Sequence, residues 1–143
     1  MNVLVIAAHP DDEVLGCGGT VAKLSKEGHR IDLLILGKER EGYSSKQTNQ
    51  AANILGIEEI TMDAFPDNKF DTMALLELIE IIEKEINRCK PDTIYTHSEI
   101  DLNVDHTLVY RAVLTATRPK VGQPVKRLYS FEVPSATDWS FKA

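Results

Sequence analysis

"NVLVIAAHPDDEVLGCGGT", residues 2–20, decides the fold. Its first seven residues form a near-continuous apolar run, partly β-branched, as expected of a strand buried on both faces. A strand of that kind sits inside a parallel sheet with helices packed above and below it. The run ends at His9-Pro10 and meets three consecutive acids, Asp11, Asp12 and Glu13, before a cluster of glycines. Adjacent carboxylates repel one another. A buried strand has no structural need for them at its end, so the turn points to a ligand of opposite charge.

Working outward, the same alternation repeats along the chain. "GGTVAKLSKEG" (18–28) carries Val21, Ala22, Leu24 and Ser25 at helical spacing, with Gly28 as a stop. "RIDLLILG" (30–37) is a second buried strand. The polar stretch "KEREGYSSKQTNQ" feeds a helix ending at "AANILG" (51–56), and "EEITMDAF" (58–65) is a weaker strand. "MALLELIEIIEKEINRCK" (73–90) is the clearest helix, closed by Lys90-Pro91. "DTIYTHS" (92–98) reads as a strand, "HTLVYRAVLTATRP" (106–119) as a helix, and "KRLYSFEV" (126–133) as the last strand. Strands alternating with helices imply an α/β domain: one Rossmann-like, three-layer unit over residues 1–143. Right-handed crossovers give a mainly parallel sheet of order 3-2-1-4-5.

Composition narrows the function. A net charge of −6 disfavours nucleic acid or an anionic membrane as partner. The N-terminus has no basic region followed by a long apolar stretch, and its apolar run is too short to span a bilayer. The expectation is a cytoplasmic protein with no transmembrane segment. Cys17 and Cys89 are too few for a disulfide framework or a four-cysteine metal site, and read as reduced thiols near the core.

In the order 3-2-1-4-5, strands one and four lie side by side where the winding reverses, and ligands bind at the carboxyl ends there. "HPDDE" follows strand one, and a second acid- and histidine-rich stretch, "HSEIDLNVDH" (97–106), follows strand four. The two loops should meet at one crevice. A cation is the simplest thing that stabilises so much clustered charge. His9 and Asp12, three apart on a turn, can supply a nitrogen and an oxygen, and His106 a further nitrogen. Two histidines and a carboxylate suit catalytic zinc, and equally the facial triad of ferrous iron. Asp11, whose side chain diverges from its neighbour's, would sit beside an activated water as general base.

"AHPDDEVLGCGG" followed by "DLNVDH" closely resembles the PIG-L/LmbE-like deacetylases, which remove acetyl groups from N-acetylglucosamine-type amino sugars. The match extends through the first two strands, Gly16, Gly18 and Gly19, the "FPDNKF" turn (65–70) and the strand-four loop. The resemblance implies zinc on His9, Asp12 and His106, with Asp11 as general base. It also implies a small-molecule amino-sugar substrate, free or linked to a nucleotide or lipid. Two departures stand out. Many members carry a histidine three residues before the last ligand; here it is Asn103, which can donate to an oxyanion but cannot act as an acid. The family chain also usually runs well beyond 143 residues, so that pocket-closing residues after Trp139 are expected to be absent, by truncation or natural brevity.

Around this centre, Asp105 can order its loop and orient a neighbouring ligand. Glu13 is either a partner of the ligands or a first-turn acid favoured by the helix dipole. The glycines lack the spacing of a phosphate loop and read as tight turn and helix packing. His97 ends a strand and is a candidate to line the crevice. Asp67 is a turn residue or a sugar contact, and Arg40 a solvated charge or a contact to a sugar hydroxyl or phosphate. The competing functions are a nucleotide-binding module of the same fold and a metal-binding but inactive fragment of a deacetylase. Oligomeric state is left open.

Overall fold

The computed structural model describes residues 1–39, 42, 45–134 and 136–141. Among these residues, five strands alternate with four helices: β1 (Asn2–Ala7), α1 (Asp12–Lys26), β2 (Arg30–Gly37), α2 (Ser45–Leu55), β3 (Glu59–Phe65), α3 (Leu75–Cys89), β4 (Thr93–His97), α4 (Val104–Ala116) and β5 (Arg127–Phe131). Every strand pairing is parallel and the order is β3-β2-β1-β4-β5, the expected doubly wound arrangement. Val5 on the central strand stands beside Leu33 of β2 and Tyr95 of β4.

The period of two along β1 divides the core into two layers. Leu4, Ile6 and Ala8 pack with Leu78, Ile82, Val109 and Val113 of α3 and α4. Val3, Val5 and Ala7 face Val21 and Ala52 of α1 and α2. Leu78, Ile82 and Ile86 recur at helical spacing on the buried face of α3, each contributing roughly 1.5–3 kcal/mol when fully removed from water. No helix among the described residues is long and apolar enough to cross a membrane.

Two helices begin earlier than apolar periodicity indicates, and both differences shape the site. The helix expected from residue 18 starts at Asp12 and kinks at Cys17, where φ is −139°. The acid-rich turn and the glycines thus belong to the helix itself, with Asp12 and Glu13 in its first turn, where the helix dipole favours anions. A side chain at Gly16 would run into the Phe131 ring at the end of β5, so this glycine permits close helix packing. The helix expected from residue 106 starts at Val104, because Asn103 caps it: its Oδ1 accepts from the amides of Asp105 and His106. A 3₁₀ turn, Phe70–Thr72, was not anticipated, and it places Phe70 beneath the site, fully buried.

Candidate metal centre

β1 carries its chain to the carboxyl edge of the sheet and delivers His9 there. The turn after it is unusual: Asp11, not a glycine, holds φ at 100°. Strain of this kind concentrates at functional positions. It reverses the chain so that Asp12 Oδ2 accepts the backbone N–H of His9 at 2.9 Å and points inward. Glu13 is buried, and its Oε2 accepts the N–H of Asp11 at 3.1 Å. Burial pushes the Glu13 carboxyl up to about 7, against the opposing pull of the backbone hydrogen bonds. Its place is therefore beneath the turn, holding the backbone of Asp11.

From the neighbouring loop, the cap at Asn103 sets His106 on the first turn of α4. Three donor atoms converge: His9 Nδ1 lies 3.4 Å from Asp12 Oδ2, His106 Nε2 lies 3.2 Å from Asp12 Oδ2, and the two ring nitrogens are 3.3 Å apart. All three side chains are nearly fully buried. Ligands about 2.0–2.1 Å from a tetrahedral ion stand roughly 3.3–3.4 Å from one another, so this triangle could hold a metal ion as it stands.

Each imidazole uses its other nitrogen on a buried carboxylate. His9 Nε2 donates to Asp105 Oδ2 at 2.8 Å, and His106 Nδ1 donates to Asp101 Oδ2 at 2.9 Å. These bonds fix the tautomers that leave His9 Nδ1 and His106 Nε2 free to face a cation. Asp105 follows Val104 on the helix but serves the histidine of the opposite loop. Its carboxylate also accepts the amides of Asn68 at 2.7 Å and Phe70 at 3.0 Å, tying the "FPDNKF" turn to the centre. Asp67 in that turn approaches His9 Nε2 at 3.2 Å.

The charges are strongly coupled. Burial opposes the ionised form of Asp12, but its bonds to His106 and His9 outweigh that and hold its pKa far below the usual carboxylate range. Burial likewise works against a charged His106, yet Asp101 and Asp12 carry its pKa up to about 9. Desolvation also opposes the charged form of His9, and Asp12 and Asp105 overcome it to raise that ring in the same direction. In the metal-free protein a proton thus balances part of the cluster's negative charge.

Of the remaining candidates, His97 does not line the crevice. It is wholly buried and stacks on His106, with ring centroids 3.9 Å apart, while Phe131 closes its other side. Its Nε2 accepts the amide of Ala8 at 2.9 Å, and burial lowers its pKa, so the ring is neutral with its proton on Nδ1. The strand end expected to line the crevice is covered here by β5. Arg40 lies outside the described residues. Asn103 is committed through Oδ1 to its cap, and among the described residues its Nδ2 makes a long contact of 3.5 Å to Asn68 Oδ1. Asp11 is exposed and lines a cleft of about 340 Å³ with Val14, Leu15, Gln47 and Ala51, whose lining includes none of His9, Asp12 and His106. A larger cleft of about 480 Å³, between β3 and α3, contains none of these residues.

Sequence reasoning did not single out Asp101, the partner of His106, or Thr137, whose hydroxyl reaches Asp101 from the turn after β5. Asp101 had a signal, since it sits in the acid-rich loop; Thr137 had none.

The family model described as GlcNAc-PI de-N-acetylase, PIG-L, matches residues 4–117. The chain is 28% identical over 144 residues to the uncharacterized deacetylase YaiS of Escherichia coli, covering 94% of this chain and 75% of that protein. It is 30% identical over 145 residues to a probable N-acetyl-alpha-D-glucosaminyl L-malate deacetylase 2 of Bacillus cereus, covering 87% of this chain and 65% of the relative. The crystal structure of the conserved protein TT1542 from Thermus thermophilus superposes with a TM-score of 0.77 at 28% identity, covering 90% of this chain and 64% of the other. The chain therefore spans about two thirds to three quarters of the length of these relatives. Because the family model runs from β1 to the end of α4 and takes in both loops that build the centre, the chain belongs to the PIG-L family of de-N-acetylases.

Proposed function

We propose that this chain is a zinc-dependent N-deacetylase that hydrolyses the acetamide of an N-acetylglucosamine-type amino sugar or its conjugate. The observation that carries the reading is the buried triangle of His9 Nδ1, Asp12 Oδ2 and His106 Nε2, with sides of 3.2–3.4 Å and a carboxylate behind each imidazole. Two nitrogens and one oxygen suit zinc or ferrous iron better than magnesium or calcium, which prefer all-oxygen cages. The names of the Escherichia coli and Bacillus cereus relatives, both deacetylases, support the same chemistry.

A bound zinc would supply charge to polarise the acetyl carbonyl and would lower the pKa of its water to roughly 7. The chain's own residues do the rest. His9, Asp12 and His106 would hold the ion. Asp11, exposed beside them, accepts the proton of the attacking water on its carboxylate. It returns that proton to the nitrogen as the amide C–N bond breaks, releasing acetate and an amine. Asn103 keeps its carbonyl on the helix amides, and its Nδ2, which makes the long contact to Asn68, is the donor for the reacting oxygen. Asp67, and Arg40 from the stretch after β2, supply contacts to the sugar.

The test is zinc quantification together with a screen of acetate release over N-acetylglucosamine derivatives. One zinc per chain and turnover of at least one derivative are expected. A chain that binds zinc stoichiometrically and releases acetate from none would be the metal-binding, inactive form, a reading that draws on its coverage of only 64–65% of two relatives. A chain without metal affinity overturns both.

A further inference from the structure

We propose that Thr137, in the turn after β5, is a positioning residue of the metal centre: through Asp101 it fixes the tautomer and ring orientation of His106. The inference rests on the reading of His106 as a metal ligand. Its basis is a hydrogen-bond chain whose direction is unambiguous. The amide of Val133 donates to Thr137 Oγ1 at 2.9 Å. An amide only donates, so the hydroxyl accepts there and gives its own proton to Asp101 Oδ2, 3.0 Å away. The same Oδ2 accepts the Nδ1 proton of His106 at 2.9 Å, and Oδ1 accepts the amide of Asn103 at 2.8 Å.

Asp101, His106 and Thr137 are each 3% exposed, which leaves no water to replace a lost partner. Without the hydroxyl, Asp101 Oδ2 would keep His106 alone, and only the Asn103 amide on Oδ1 would still orient the carboxylate. The Val133 amide would also be orphaned. Thr137 lies 31 positions beyond His106 in sequence, so this contact makes the C-terminal turn a structural part of the centre. A bystander role in closing that turn would also explain the bond to Val133, but not the donation to Asp101.

The test uses the full chain carrying Thr137→Val, Thr137→Ser, Asp101→Asn and the double variant Thr137→Val/Asp101→Asn. Zinc affinity is read by competition with a chromophoric chelator. Loss of a carboxylate partner costs about 10–100-fold in metal affinity. Thr137→Val, one bond further out, is expected to cost about 3–10-fold, and Thr137→Ser to stay near wild type. In the Asp101→Asn background, Thr137→Val should cost nothing more, because the two act in series. A second reading comes from the metal-free protein labelled with ¹⁵N-histidine. The His106 Nδ1 proton should exchange slowly in wild type and Thr137→Ser, and rapidly in Thr137→Val.

Wild-type affinity and slow exchange in Thr137→Val would overturn the proposal. An equal loss of affinity in both backgrounds would overturn it too, by assigning Thr137 to general stability of the turn. If the wild-type chain bound no zinc, the metal reading would fall by itself, and proton exchange alone would decide whether Thr137 orders His106.

Discussion

Asp12 is 4% exposed and ionised against two histidines, while Asp11, one residue earlier, stands at the rim on a backbone with φ of 100°. A non-glycine residue in that region costs on the order of 1–3 kcal/mol, and here the strained turn is what separates two neighbouring carboxylates. Asp12 is driven inward beside His9 and His106, and Asp11 is left exposed. Asp11→Asn should therefore keep its zinc and lose roughly 10²–10⁴ in turnover, the usual worth of a positioned general base. Asp12→Asn should lose zinc, because a neutral amide is a far poorer partner for a cation than a carboxylate. Metal content and rate measured on both variants settle the assignment. If Asp11→Asn shed the metal and Asp12→Asn kept it, the two roles would be exchanged.

At the level of elements, α4 presents His106 through its cap. Asn103 Oδ1 bonds the amides of both Asp105 and His106, so the cap orients the two residues that complete the centre. Asn103→Ala should lower stability by about 1 kcal/mol, within the usual 0.5–2 kcal/mol range for a lost cap, and weaken zinc binding with it. Asn103→Asp keeps a good cap and so should keep both fold and zinc, but it removes the Nδ2 donor. A lowered turnover in Asn103→Asp with unchanged denaturant midpoint would separate the catalytic use of the amide from its capping; unchanged turnover would confine Asn103 to the cap. The two loops and their strands were legible because burial on both faces of a parallel sheet writes long apolar runs into the sequence. The starts of α1 and α4 were not, because acids, glycines and a capping asparagine open them without apolar periodicity. The orientation of His97 was equally hidden: whether a strand-end histidine meets solvent depends on which neighbour covers it, and here that is Phe131, a residue 34 positions away.

Across the whole molecule, the centre gathers residues from the end of β1, the start of α1, the turn before α3 and the start of α4, so that a bound ion ties together segments that unfolding separates. A ligand bound only by the native state stabilises it by about 2.7 kcal/mol at a free concentration of 100 times its dissociation constant. The pH dependence of that gain follows from the histidines. His106 in the metal-free fold keeps its proton up to about pH 9, against an ordinary value of 6.5, and His9 is raised in the same direction. A raised pKa stabilises the metal-free fold fully below the unfolded value, and that contribution is lost as pH climbs through the folded one. Zinc held as proposed by His106 Nε2 would have to displace the same proton, so its apparent affinity should rise across the same window, by at most about tenfold, or 1.4 kcal/mol, per pH unit for each proton released. Thermal unfolding of the zinc-loaded and chelator-treated chain, compared at steps from pH 6.5 to 9, should show a gap that widens with pH. Replacing His106 by alanine should shrink the gap and lessen its slope, because one of the two protons that compete with the ion leaves with the imidazole and only the one on His9 remains. A wild-type gap that stays constant over the window would mean that zinc does not bind at the nitrogen that carries this proton.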